Sequence, residues 1–131
     1  MKKFSFVIFA TSLFFSNNLI AQELDKECNI KKIGNNYYEI KCPMTFLQED
    51  LKDRDFSGQA DYEVEAKTNF AAANFAIVKN QKWFLIKDYH SSDQYLKNGK
   101  VIYTGTAKFI LGNNKMPNGA QNAKTFINTA N

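Results

Sequence analysis

The two cysteines of the chain, Cys28 and Cys42, are the residue pair with the clearest chemistry. Paired thiols either form a structural disulfide or carry out redox chemistry, and catalytic dithiols usually have Cys-x-x-Cys spacing at the start of a helix. The spacing of Cys28 and Cys42 is much wider than that. We therefore expect a structural disulfide, with a redox-active pair as the alternative.

A β-hairpin around residues 34–36 would bring these cysteines together. This Gly-Asn-Asn segment tolerates positive φ, which tight hairpin turns require. If the turn is centred on Asn35, apolar residues of the two strands face each other, and so do residues of opposite charge. Both kinds of cross-strand pair stabilise a hairpin. The predicted pairs are Ile33/Tyr37, Lys32/Tyr38, Lys31/Glu39, Ile30/Ile40, Asn29/Lys41 and Cys28/Cys42.

His90 is the one histidine of the chain and could act as a general base or a metal ligand. It lies in the polar segment Asp88-Tyr89-His90-Ser91-Ser92-Asp93. Catalytic zinc sites usually take three protein ligands, most often histidines, so a single histidine makes such a site unfavourable. No serine lies in a Gly-x-Ser-x-Gly motif. We expect a solvated connection here, and neither catalytic residues, a metal site nor a cofactor.

Aromatic residues near predicted turns are better candidates for contact than for catalysis. Tyr37 follows the first turn, where a small cluster with Ile33 is the alternative to a contact role. Together with the segment around His90, it gives a set of candidate contact residues: Tyr37, Tyr89, His90 and Tyr95.

The start of the chain has the pattern of a secretory signal. Lys2 and Lys3 precede an apolar run over residues 4–15, which is too short to span a bilayer. A cut after Ala21 gives residues 1–21 as the signal peptide and residues 22–131 as one small exported domain. An uncleaved membrane anchor is the alternative. The cut would remove two of the 17 basic residues, so the net charge of +4 is a weak argument for a nucleic-acid partner.

The middle of the chain contains signals for helix and for strand. Thr45-x-x-Gln48 has the form of a capping box and predicts a short helix that ends near Arg54. Residues 61–67 alternate between apolar and charged side chains, which predicts a half-buried strand.

Two short apolar runs, residues 75–78 and 83–86, flank a polar segment and predict a central hairpin. A helix over residues 69–78 is the alternative, because the apolar side chains also have helical spacing.

Asn98-Gly99 predicts a type I′ turn in which Leu96 pairs with Val101 and Tyr95 with Ile102. The strand that follows extends to Leu111. Within residues 118–129, four apolar residues have the spacing of a weak docking helix, with frayed coil as the alternative. They are Ala120, Ala123, Phe126 and Ile127.

Together these elements predict an α+β fold, mainly antiparallel β, with about six strands and one or two short helices. A small all-β barrel or sandwich is the alternative. The predicted function is a non-catalytic periplasmic or secreted interaction module with one disulfide, whose partner is another protein of a bacterial envelope or the exterior. Nucleic acid and stable membrane insertion after cleavage are not expected. A carrier of a small apolar ligand in a β cavity is the alternative function.

Overall fold

The computed structural model describes residues 28–52 and 54–130, so the predicted signal segment lies outside the described residues. In chain order the elements are β1 (Asn29–Gly34), β2 (Tyr37–Leu47), a 3-10 helix (Gln48–Lys52), α1 (Arg54–Val78), β3 (Trp83–Tyr95), β4 (Lys100–Gly112), β5 (Gln121–Asn122) and α2 (Ala123–Ala130).

The described strands form one antiparallel sheet in the order β1-β2-β4-β3-β5. Both α-helices lie on the same face of this sheet, where α1 packs on β2, β4 and β3, and Phe126 of α2 contacts Phe84 of β3 edge to face. The prediction of an α+β fold is confirmed. The sheet has five strands in the described residues rather than six, and α1 is much longer than expected, at 25 residues.

The first hairpin has the predicted register along most of its length. Ile30 faces Ile40, Lys31 faces Glu39, and the Lys31 ammonium lies 3.8 Å from the Glu39 carboxylate. Cys28 and Cys42 form the predicted disulfide. Only the end next to the turn differs, because a register shift between Lys32 and Gly34 places Gly34, not Ile33, opposite Tyr37.

The strand predicted over residues 61–67 is wrong, since these residues belong to α1. The predicted hairpin that began with residues 75–78 is wrong for the same reason, and its helical alternative is correct. On a strand, the side chains of Tyr62 and Val64 would point to the same face, whereas on a helix they point in different directions. Tyr62 is 68% exposed and Val64 is fully buried, as the helix requires. Tertiary packing of one helix face decides the structure here.

The buried face of α1 is a line of small side chains at every fourth position. These residues are Ala60, Val64, Thr68, Ala72 and Ala76. A helix with such a face can lie close to a sheet, and β4 contributes Gly105 at the point of closest approach. A Cβ atom built on Gly105 would lie 2.5 Å from the Thr68 hydroxyl oxygen and 2.9 Å from the Tyr89 hydroxyl oxygen. The Thr68 hydroxyl is itself satisfied, because it donates to the Val64 carbonyl at 2.8 Å.

The carboxyl end of α1 is a Schellman motif. The Gln81 N–H donates to the Ala76 carbonyl and the Asn80 N–H donates to the Ile77 carbonyl. Asn80 has a φ of 58°, the left-handed conformation that this cap requires. The loop is then held by Asn113, whose side chain accepts from the Lys82 N–H and donates to the Asn80 carbonyl.

The β3-β4 hairpin forms, but it is longer than predicted and its turn differs. The connection predicted around His90 is wrong, because residues 88–93 lie within β3 and pair with β4. Gly99 has a φ of 81°, whereas Asn98 does not have positive φ, so the turn is not type I′. As a result Tyr95 faces Val101, one position away from the predicted pairing. The Leu96 N–H donates to the Lys100 carbonyl at 2.8 Å and closes the hairpin.

The helix predicted from the capping box at Thr45 is also wrong at its start. Residues Thr45 and Phe46 continue β2 and pair with Ile102 and Val101, because cross-strand pairing outweighs the local cap signal. A 3-10 helix then follows over Gln48–Lys52. The tail helix is present as α2, which begins at Ala123 and buries this residue completely.

Gly105→Ala should lower the free energy of unfolding by about 1–3 kcal/mol, because the new methyl group overpacks the contact with Thr68. Gly58→Ala is the matched control, since Gly58 is exposed on α1 with nothing within 4 Å of its would-be Cβ. It should stabilise by about 0.5–1 kcal/mol through helix propensity. Urea denaturation measures both, and equal effects of the two substitutions would contradict the close approach.

Replacing both Cys28 and Cys42 by alanine should cost about 3 kcal/mol, because the bridge closes a loop across a sequence separation of 14. Denaturation of the oxidised wild type and the double variant gives this difference. Intact mass before and after reduction should differ by about two daltons, and free thiols in the unreduced protein would contradict the bridge.

Candidate protein-interaction edge

The outer edge of β3 is unpaired over most of its length in the described structure. β4 pairs with β3 from Trp83 to Tyr95, whereas β5 covers only Trp83 and Phe84 on the other side. Residues 87–95 therefore form a free strand edge, here called the β3 edge. All of these residues except Tyr89 are exposed.

The hydrogen-bond pattern shows which backbone groups of the β3 edge are available. Leu96 and Lys100 form a hydrogen-bonded pair, and in antiparallel strands such pairs alternate with non-hydrogen-bonded ones. The register continues without a shift from Tyr95 to Asp88. The residues that turn their N–H and C=O groups away from β4 are therefore Tyr89, Ser91, Asp93 and Tyr95.

The opposite edge of the sheet is protected against strand addition. β2 extends beyond β1 at Pro43, which has no N–H to donate. The alternation of hydrogen-bonded pairs between β2 and β4 turns the backbone of Pro43 away from β4, toward this edge. The Lys67 ammonium of α1 donates to the Pro43 carbonyl at 2.7 Å and so occupies the acceptor as well. On β1, the exposed Lys31 and Lys32 add charge to the edge.

Between Tyr89 and Tyr95 the edge contains no proline and no lysine, and its one charged residue is Asp93. The exposed Lys87 and the register shift between Ile86 and Asp88 lie before this stretch, at the beginning of the β3 edge. The stretch from Tyr89 to Tyr95 is therefore available to pair with another strand.

On the helix side, the Tyr89 ring lies under α1. Its hydroxyl oxygen is buried against Gly105 and has no hydrogen-bond partner in the described structure. Burial, together with the negative charges of Glu65 and Asp61, raises the pKa of Tyr89 from 10.0 to about 12. The Ser91 side chain acts in the opposite direction, although it forms no hydrogen bond of regular geometry with the Tyr89 hydroxyl.

The structure brings three of the four predicted contact residues together on the β3 edge. His90 is exposed on the face opposite the helices, and Tyr95 is 57% exposed near the end of the strand. Tyr89 is half-buried. Tyr37 lies apart on β2, half-buried and opposite Ile110 of β4.

A depression of about 550 Å³ lies at the other end of the sheet. The buried Trp83 ring packs flat on Gly112 beside it, and the indole N–H donates to the Asn114 carbonyl at 3.0 Å. Asparagine and glutamine residues make up much of its lining: Asn35, Asn36, Gln81, Asn113 and Asn114. The depression is open, whereas a carrier of an apolar ligand is expected to have an enclosed cavity.

Within residues 28–52 and 54–130, no cluster of histidine, cysteine and acidic residues has the arrangement of a metal site. In the same part of the chain, no helix combines the length and apolar character needed to cross a membrane. Comparison of the chain with protein-family models, curated proteins and solved structures gives no significant match.

Tyr89→Phe removes a buried hydroxyl that has no partner, so we expect it to stabilise the fold by about 1 kcal/mol at neutral pH. Wild-type stability should also fall as the pH rises from about 10 to about 12, because the unfolded state loses the Tyr89 proton first. The phenylalanine variant lacks this contribution. Chemical denaturation across this pH range tests both effects, and clear destabilisation at neutral pH would show that the hydroxyl is bonded.

Proposed function

We propose that the protein is a non-catalytic exported interaction module that binds another protein of the envelope or the exterior by strand addition along the β3 edge. The observation that carries the proposal is the unpaired edge itself, which contains no proline and no lysine from Tyr89 to Tyr95. A partner strand would bond to the outward N–H and C=O groups of Tyr89, Ser91, Asp93 and Tyr95. Side chains on alternate positions would then supply specificity.

Three further observations support this function. The Cys28–Cys42 disulfide is typical of proteins in oxidising compartments. The β2 edge, where Pro43 lacks a donor and its carbonyl is bound by Lys67, contrasts with the outward N–H and C=O groups of the β3 edge. Candidate contact residues Tyr89, His90 and Tyr95 lie on the proposed binding strand.

Ser91→Pro should abolish partner binding while leaving the fold intact. The Ser91 N–H points away from β4, so proline at this position removes a bond to the partner and none within the sheet. A photocrosslinking residue in place of the exposed Gln94 reports the partner in the native envelope, and thermal unfolding reports the fold. We expect crosslinked product with wild-type Ser91 and none with proline.

Ser91→Ala is the matched control, because it keeps the backbone donor and should crosslink like the wild type. Ser92→Pro removes an N–H that faces β4 and should instead destabilise the fold. Crosslinking that is equally strong in the folded Ser91→Pro variant, or that is absent from the wild type, would contradict strand addition at this edge.

A further inference from the structure

The β3 edge has an acidic flank on the helix side. Asp61 and Glu65 are exposed on α1. Helical spacing puts them on the side of α1 away from Lys67, which contacts Pro43 of β2, so they lie toward β3, where their charges act on Tyr89. Asp93 is exposed on β3 and shares this face, because it pairs with Tyr103, which is buried under the helix. Three carboxylates therefore border one side of the free edge, here called the acidic flank.

Lys67 lies on the other side of α1, where its ammonium donates to the Pro43 carbonyl of β2. On the opposite face of the sheet, Asp88 is the cross-strand partner of Lys108 of β4. The remaining side chains of the edge on that face are His90, Ser92 and Gln94.

The side chains of an added strand would point alternately to these two faces of the sheet. In a hydrogen-bonded antiparallel pair, directly opposite side chains lie on the same face. Partner residues opposite Ser91 and Asp93 would thus lie on the helix side, next to the acidic flank. Positive side chains at every second position of the partner match this arrangement.

A second copy of this chain fits the edge poorly. Antiparallel pairing of two β3 edges around a twofold axis would put both α1 helices on the same side of the joined sheet. The carboxylates of Asp61, Glu65 and Asp93 from both copies would then face each other. Like charges placed together in this way disfavour association.

We propose that the β3 edge binds an extended segment of a different protein that carries lysine or arginine at alternate positions. This inference rests on the proposed function and adds the chemistry of the partner. The backbone of the segment bonds to β3, and its basic side chains lie against Asp61, Glu65 and Asp93.

Fluorescence anisotropy with two labelled nine-residue peptides tests this. One peptide alternates lysine with threonine, and the other alternates glutamate with threonine. The lysine peptide should bind to wild-type protein at least about tenfold more tightly at low salt, and its affinity should fall as salt is added. Ser91→Pro should abolish its binding.

Glu65→Lys and Glu63→Lys form a matched pair of variants with identical changes in composition. Glu65 lies on the acidic flank, whereas Glu63 lies near Lys67 on the other side of α1 and accepts a hydrogen bond from Gln59. Glu65→Lys should weaken binding of the lysine peptide by about fivefold or more, while Glu63→Lys should change it little.

Other results would overturn the inference in distinguishable ways. If Ser91→Pro abolishes binding but the two glutamate variants behave alike, strand addition stands and the basic partner is rejected. If neither peptide binds to the wild type, the inference is rejected, and the envelope crosslinking decides the proposed function separately. A dimer in sedimentation experiments that Ser91→Pro dissociates would identify a second copy as the occupant.

Discussion

The close approach of α1 to β4 at Gly105 is the constraint on which the rest of the structure depends. The helix can lie on the sheet only because Thr68, Val64 and their neighbours form a line of small side chains facing a strand position without a Cβ atom. This position of the helix buries the inner strands but leaves Ser91, Asp93 and Tyr95 exposed, although they lie on the helix face of β3. The packing that builds the core therefore also leaves one edge of the sheet uncovered.

The two edges of the sheet differ in the backbone hydrogen-bonding groups that they leave available, and a few residues cause the difference. At Pro43 one donor is missing and the neighbouring acceptor is bound by the Lys67 ammonium, so that edge offers little to an incoming strand. At Ser91 both groups face outward, and the side chain is small and uncharged. Because the two edges of one sheet differ in this way, we interpret the β3 edge as functional and not simply as a strand that lacks a neighbour.

Local signals made the first hairpin predictable from sequence. The turn residues, the Lys31–Glu39 pair and the cysteines all favour one register over a short segment. The helix α1 was not predictable in the same way, because its buried face consists of alanine, threonine and one valine, which give a weak apolar pattern. Tyr62 and Val64 even alternate with acidic residues as in a strand.

The candidate site was only partly predictable for a related reason. Tyr89, His90 and Tyr95 could be selected as aromatic or titratable residues near turns, but sequence gave no sign that they share a free edge. That property depends on which strand lies on each side of β3, and it is decided by pairing between distant segments. The acidic flank depends equally on the packing of α1, and its residues Asp61 and Glu65 lie in the segment that was predicted as a strand.

The strand order also has a kinetic consequence. β4 pairs with β3 through a short turn, but its other neighbour, β2, precedes the whole of α1 and β3 in the chain. Local contacts form early in folding, whereas distant ones must first overcome the entropy of closing a long loop. We therefore expect the two hairpins and α1 to form first. The joining of β2 to β4 would then complete the central sheet and set the folding rate.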